Sequence, residues 1–207
     1  MEKTLIVVVL IAALIAVPLF MTKTKKVDTR TSEVKVEAAL DQAKAESEVK
    51  TTKPGVELAK GKKYEVLNIE RHGQASDPKG TILTDGVGGS NNWQDASIWL
   101  GGKVEGSGEI SYIIDLGASE DIGEVSAQFH QTLYNIDFPT KIAVSVSDDK
   151  KSWSKAVVLD IPEKEPTITD WVKVTVNAKG RYVKVSVTPK AEWVWCSEIS
   201  VKSPNAK

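Results

Sequence analysis

Past residue 62 the chain alternates, with short runs of apolar residues at every second position, broken by Gly, Pro, Asn and Asp. In 141–147, Ile142, Val144 and Val146 alternate with Ala143, Ser145 and Ser147; in 182–187, Val183, Val185 and Val187 alternate with Tyr182, Lys184 and Ser186. A period of two puts one set on a buried face and the other on a wetted one, which predicts antiparallel strands against a core. The same reading places strands at 64–69, 110–115, 122–131, 156–161, 171–176 and 198–201, eight in all. The run SDDKKSW at 147–153 reads as the turn after the fourth of them. No segment here has the length and 3.6 period of a core helix, so an α/β enzyme fold is disfavoured and an all-β sandwich over residues 61–204 is expected.

The N-terminus follows another pattern. Residues 5–21, LIVVVLIAALIAVPLFM, carry no charge and lie between Glu2 and Lys3 on one side and Lys23, Lys25 and Lys26 on the other. A cleaved signal peptide wants small residues at an A-x-A-type site, which Val17-Pro18-Leu19-Phe20-Met21 fits poorly, so residues 1–22 read as an uncleaved signal-anchor forming a transmembrane helix. At ~1.5 Å per residue the run spans ~26 Å, workable against a ~30 Å hydrocarbon core when flanking lysines snorkel. Taken alone, the lysines after the run favour a cytoplasmic C-terminus. Residues 23–60 read as a charged, partly helical linker or stalk: 32–50 is rich in Ala, Glu and Lys, sustains no heptad, and gives way to Pro54-Gly55.

Charge and cysteine content narrow the chemistry. Lys and Arg number 27 against 28 Asp and Glu, so the basic footprint of a nucleic-acid binder is missing. The single cysteine, Cys196, allows no intrachain disulfide, and with two histidines it supplies no Cys/His zinc cluster; any metal is expected to be oxygen-bound. Cys196, Trp153, Trp171 and Trp195 are expected in the core. No G-x-S-x-G elbow is present, and no catalysis is expected.

In order, the strand-rich region carries LTDG (83–86), GGSNNW (88–93), IDLG (114–117), Phe138-Pro139, VSVSDDKKSW (144–153), GRYVKVSV (180–187) and EWVWCSEISV (192–201). This succession resembles the discoidin or coagulation-factor type C family, the galactose-binding-like jelly rolls that include carbohydrate-binding module family 32. The resemblance covers roughly residues 62–203 and implies an eight-stranded jelly-roll β-sandwich acting as a non-catalytic binding module. It also implies a glycan or cell-surface polysaccharide as partner and an extracytoplasmic, membrane-anchored position. A structural or protein-interaction jelly roll of the cell envelope is the alternative reading.

The resemblance further implies a structural calcium site matching Asp85 of LTDG and Glu198 of the closing motif, with Ser90 and carbonyls around Leu83 and Gly88 completing a shell. Ca²⁺ takes six to eight oxygens at ~2.3–2.6 Å, and a glycine-rich turn can aim several carbonyls at one centre. Family members place their sugar contacts on loops at one end of the sandwich, where an aromatic ring packs on a pyranose and polar side chains reach its hydroxyls. The expected contacts are therefore Asn92, Trp93, Asp95 and Trp99 in the loop 88–99, joined by Asn91 and Gln94, and His130, Gln131, Tyr134 and Asn135 in the segment HQTLYN that ends the third strand and follows it.

Overall fold

The computed structural model describes residues 55–205. The expected anchor at 1–22 and the stalk as far as residue 54 lie outside the described residues; among those described, no helix is long and apolar enough to cross a membrane. Eight strands are present among the described residues: β1 (Lys63–Leu67), β2 (Ile69–Arg71), β3 (Leu100–Val104), β4 (Ile110–Gln131), β5 (Lys141–Ser147), β6 (Val157–Asp160), β7 (Ile168–Thr188) and β8 (Val194–Lys202). The only helical element described is a 3₁₀ turn at Ile82–Thr84.

Two long strands build both layers of a jelly-roll-like sandwich. The first half of β4 pairs with β1 and with the second half of β7, beyond which lie β5 and β6. The second half of β4 pairs with the first half of β7 and with β8, beyond which lie β3 and β2. All these pairings are antiparallel. Alternation then delivers Ile110, Tyr112, Ile114, Val183, Val185 and Ile142 from the first layer, and Val125, Phe129, Val172, Ile199 and Val201 from the second, into one core. Each such aliphatic side chain contributes about 1.5–3 kcal/mol on full burial.

The predicted strand at 141–147 coincides with β5. The predicted pairs 110–115 with 122–131, and 171–176 with 182–187, are each fused into one strand. At Gly117 (φ +87°) the chain does turn, and Asp115 Oδ1 accepts the Gly117 N–H at 2.8 Å. The ladder nevertheless resumes at Glu120 after a register shift, so the turn is a bulge inside β4. The predicted strand 64–69 is instead two, and β3 was not foreseen. Residues 55–60, expected in the stalk, belong to the sandwich: the Leu58 N–H donates to the Val201 carbonyl at 2.7 Å, and Ala59 is fully buried.

Candidate functional site

Four chain segments meet at one end of the sandwich: the exit of β2 at His72, the loop 88–99, the connection 132–140 and the entry to β8 at Trp193. The connection is sewn to β8's entry by backbone bonds, Trp193 N–H to Asn135 carbonyl at 3.1 Å and Asp137 N–H to Trp193 carbonyl at 3.0 Å. The loop 88–99 is held from below. Gln128 Oε1 accepts the Gly89 N–H at 2.6 Å and the Ser197 hydroxyl at 2.7 Å, Thr169 Oγ1 donates to the Ser90 carbonyl at 3.1 Å, and Trp99 Nε1–H donates to the Asn92 carbonyl at 3.1 Å. A Cβ at Gly89 would stand 2.4 Å from the Trp99 ring, so glycine is what lets the loop lie on that ring.

These constraints shape a hollow of about 180 Å³ lined by His72, Trp93, Tyr134, Ile136, Trp193 and Trp195. Trp195 and Ile136 are buried and form its floor. His72 stands edge-on to Trp193 with ring centroids 5.0 Å apart, and Trp93 lies 5.3 Å from Tyr134 and 5.8 Å, edge-on, from Trp195. Tyr134 is 67 % exposed and its neighbour Leu133 80 %. His72 Nδ1 accepts the Gln74 N–H at 3.3 Å, which puts the proton of the neutral ring on Nε2. Lys103 reaches over the Trp193 ring at 5.3 Å while bonded to Glu70 at 3.3 Å. Flat apolar faces beside a few donors suit a ligand with one apolar face and hydroxyls at its rim.

Of the residues expected here, Trp93 and Tyr134 are brought together at the hollow, and Asn91, Asn92 and Asn135 stay exposed nearby. Asp95 closes its own turn: the Ser97 hydroxyl and N–H both donate to Oδ1, at 2.6 and 3.0 Å, and hold the carboxyl below its usual range. Trp99, His130 and Gln131 differ from expectation, because the fold encloses them. Trp99 is a core residue packed with Trp195, and His130 is fully buried with Nδ1 2.8 Å from Thr169 Oγ1. Gln131 spends its amide on the Lys164, Glu165 and Phe138 backbones. Cys196 and Trp195 are buried as expected, whereas Trp153 and Trp171 are only half-buried. His72 and Trp193 were missed. The Trp-Val-Trp alternation at 193–195 does point both rings to one side of β8, a usable signal for Trp193; His72 carries none.

Asp85 and Glu198 also meet. Glu198 is 5 % exposed and its Oε2 accepts the Gly86 N–H at 3.1 Å, while the Asp85 carboxyl lies within hydrogen-bond reach and also accepts the Val87 N–H at 2.7 Å. Burial first, then the charge and hydrogen bond of Asp85 and the charge of Glu57, push Glu198 up to about 8 against the lowering effect of the Gly86 N–H. Two adjacent carboxyls, Asp85 on the glycine-rich turn and the buried Glu198 on β8, form an oxygen donor set that fits a hard cation. No group of three or more acidic, His or Cys side chains with metal-site geometry occurs among the described residues, so carbonyls would have to complete the shell. Ser90 is engaged elsewhere, its Oγ accepting the Asn92 N–H at 3.2 Å and its carbonyl the Thr169 hydroxyl.

A jelly roll whose end loops enclose an aromatic hollow has the build of a small binding module. Residues 72–200 match the F5/8 type C domain, and the chain belongs to that family. Among solved structures it is similar to CpGH89CBM32-5 from Clostridium perfringens, in complex with GalNAc-β-1,3-galactose, at 17% identity and TM-score 0.53, covering 72% of this chain and 100% of that one. The lectin binding domain of lectinolysin complexed with Lewis b is similar at 21% identity and TM-score 0.53, covering 71% and 95% of the two chains. A Streptococcus pneumoniae fucose binding module is similar at 12% identity and TM-score 0.51, covering 72% and 98%. At these identities the likeness is one of fold. No curated protein matches the chain in sequence.

Proposed function

We propose that this protein is a membrane-anchored carbohydrate-binding module that takes a glycan terminus into the hollow between Trp93, Tyr134 and Trp193. The observation that carries the reading is the convergence of those three rings with His72, whose neutral ring carries its proton on Nε2, on a space of about 180 Å³. Ring faces receive the apolar face of a pyranose, and the His72 donor orients it. The glycans named for the structurally similar modules are consistent with this reading. Calcium held by Asp85 and Glu198 would neutralise their paired charge and pin the turn after residue 84 to β8, as a brace outside the aromatic hollow. Residues 5–21 anchor the chain, with the sandwich on the extracytoplasmic side.

The exposed Leu133 favours a second reading, a protein-interaction jelly roll, because an apolar side chain at that tip serves a protein surface better than a hydroxylated one. A glycan array probed with the full chain in mild detergent separates the two. Reproducible binding to one glycan class, lost in Trp193→Ala, is expected. A blank array from folded protein overturns the glycan reading.

A further inference from the structure

A groove separate from the hollow runs along the outer face of the second layer, and we propose that it binds an extended anionic polysaccharide, uronate- or sulfate-bearing, laid along the strands. The register defines three rows across β7, β4 and β8: Trp171, Gln128 and Glu198; Lys173, Ser126 and Ser200; Thr175, Glu124 and Lys202. Small serines occupy the centre, and Ser126 is only 4 % exposed although it stands on the outward side of β4. Longer side chains rise on both flanks, Trp171 and Lys173 from β7, Glu57 and Lys60 from the segment beside β8. The result is two cavities, of about 420 and 510 Å³, that share Glu124, Lys173 and Lys202 and are therefore one trough. From Trp171 to Asn177 it follows β7 for ~20 Å at ~3.3 Å per residue.

Three carboxylates, Glu57, Glu124 and Glu198, line the trough beside three ammonium groups, and the fold engages them unequally. Glu57 accepts the N–H groups of Ala59 and Val201 on Oε1 and the Ser200 hydroxyl on Oε2. Glu198 is turned to the Gly86 N–H and Asp85. Lys60, Lys173 and Lys202, by contrast, have no carboxylate within 4.0 Å among the described residues. Three ammonium groups without an ion-pair partner, against one carboxylate, Glu124, that accepts no hydrogen bond among the described residues, stand beside a half-buried indole and match a chain of pyranose rings bearing anions. The length favours a polymer over a monosaccharide. Trp171 is the one large apolar side chain lining the trough, which disfavours a protein partner.

The test is affinity electrophoresis of the full chain in mild detergent through gels containing alginate, polygalacturonate, hyaluronate or chondroitin sulfate, with dextran and polyphosphate as references. Retardation by at least one acidic polysaccharide is expected, weakening as salt rises. The double variant Lys173→Ala, Lys202→Ala should weaken it at least tenfold at unchanged Tm, and Trp171→Ala similarly, while glycan-array binding at the hollow is unaffected by the lysine pair. Retardation by none of the four overturns the proposal, as does undiminished retardation of the lysine variant. Equal retardation by polyphosphate also overturns it, by reducing the effect to charge alone. An array-negative protein that still binds the acidic polymer would sink the reading of the hollow and leave the trough standing.

Discussion

The rings of Trp93 and Tyr134 lie 5.3 Å apart across loops that are unconnected in sequence, one half-buried and the other open to solvent. Tyr134 therefore contributes area to a ligand and little to the fold. Tyr134→Ala should reduce glycan retention about tenfold, the equivalent of ~1.4 kcal/mol, at unchanged Tm. Trp193→Ala should abolish retention and also lower Tm slightly, because its ring supports His72. Retention by Tyr134→Ala equal to that of the parent chain would move the site away from the hollow.

Glu198 links metal to pH. Its folded-state value of about 8 lies above the ordinary 4.5, so folding favours the protonated form. Without a metal, that contribution to stability is complete below pH 4.5 and is lost as pH rises towards 8. A cation replaces the proton, so calcium should raise Tm most at the alkaline end and flatten the decline. Melting curves from pH 4 to 9, with calcium or with chelator, check this against Glu198→Gln, which should respond to neither. Identical curves with and without calcium would remove the metal.

Arg181 grips Asp115 with Nε on Oδ1 at 2.8 Å and Nη2 on Oδ2 at 2.9 Å, joining the IDLG and GRYVKV motifs across β4 and β7. The hydrogen bonds from Arg181 hold Asp115 below the usual carboxylate range, so the pair's stabilisation is present above pH 3.8 and is lost as pH falls through the depressed value. Because the pair is partly exposed, Asp115→Asn should cost only about 1 kcal/mol, or about 2–4 °C in Tm, at neutral pH. Arg181→Lys should also lower Tm, since lysine cannot supply the fork. A neutral-pH Tm unchanged in both variants would show the pair to be idle.

Much of the sandwich was legible because alternation encodes which face is wet, and β5 follows its pattern from end to end. Gly117 and Asn177 do take positive φ, as turn residues should, yet the ladder tolerates each as a local irregularity, which no local signal reveals. β3 was hidden by Gly101 and Gly102, which weaken a strand pattern. A Cβ at Gly101 would stand 2.8 Å from the Trp195 ring, and one at Gly102 2.3 Å from Ile69, so packing demands the residues that erase the signal. The site divides the same way. Aromatics set among polar loop residues, Trp93 and Tyr134, could be read directly. Trp99 shares the loop but meets His130 and Trp195, a tertiary fact.

His130 ties buried chemistry to the loop that carries Trp93. The Thr169 hydroxyl donates to the Ser90 carbonyl, so it must accept from His130 Nδ1–H, which leaves the Nε2 lone pair buried and without a partner among the described residues. Acid would place a proton there, beside the Trp99 ring 5.4 Å away by centroids, and burial accordingly lowers the His130 value from 6.5. The unfolded chain takes the proton first. The His130 contribution to stability should therefore hold steady above pH 6.5 and fall below it until the folded-state value is reached. His130→Gln cannot titrate, so its melting temperature should lose this component between pH 7 and 5 while the parent chain keeps it. Because Thr169 holds the loop at Ser90, glycan retention by the parent should weaken over the same interval, and retention by His130→Gln should not. Parallel Tm profiles for the two proteins would show that His130 is accommodated in its charged form, and the predicted link between acid and the loop would fail with them.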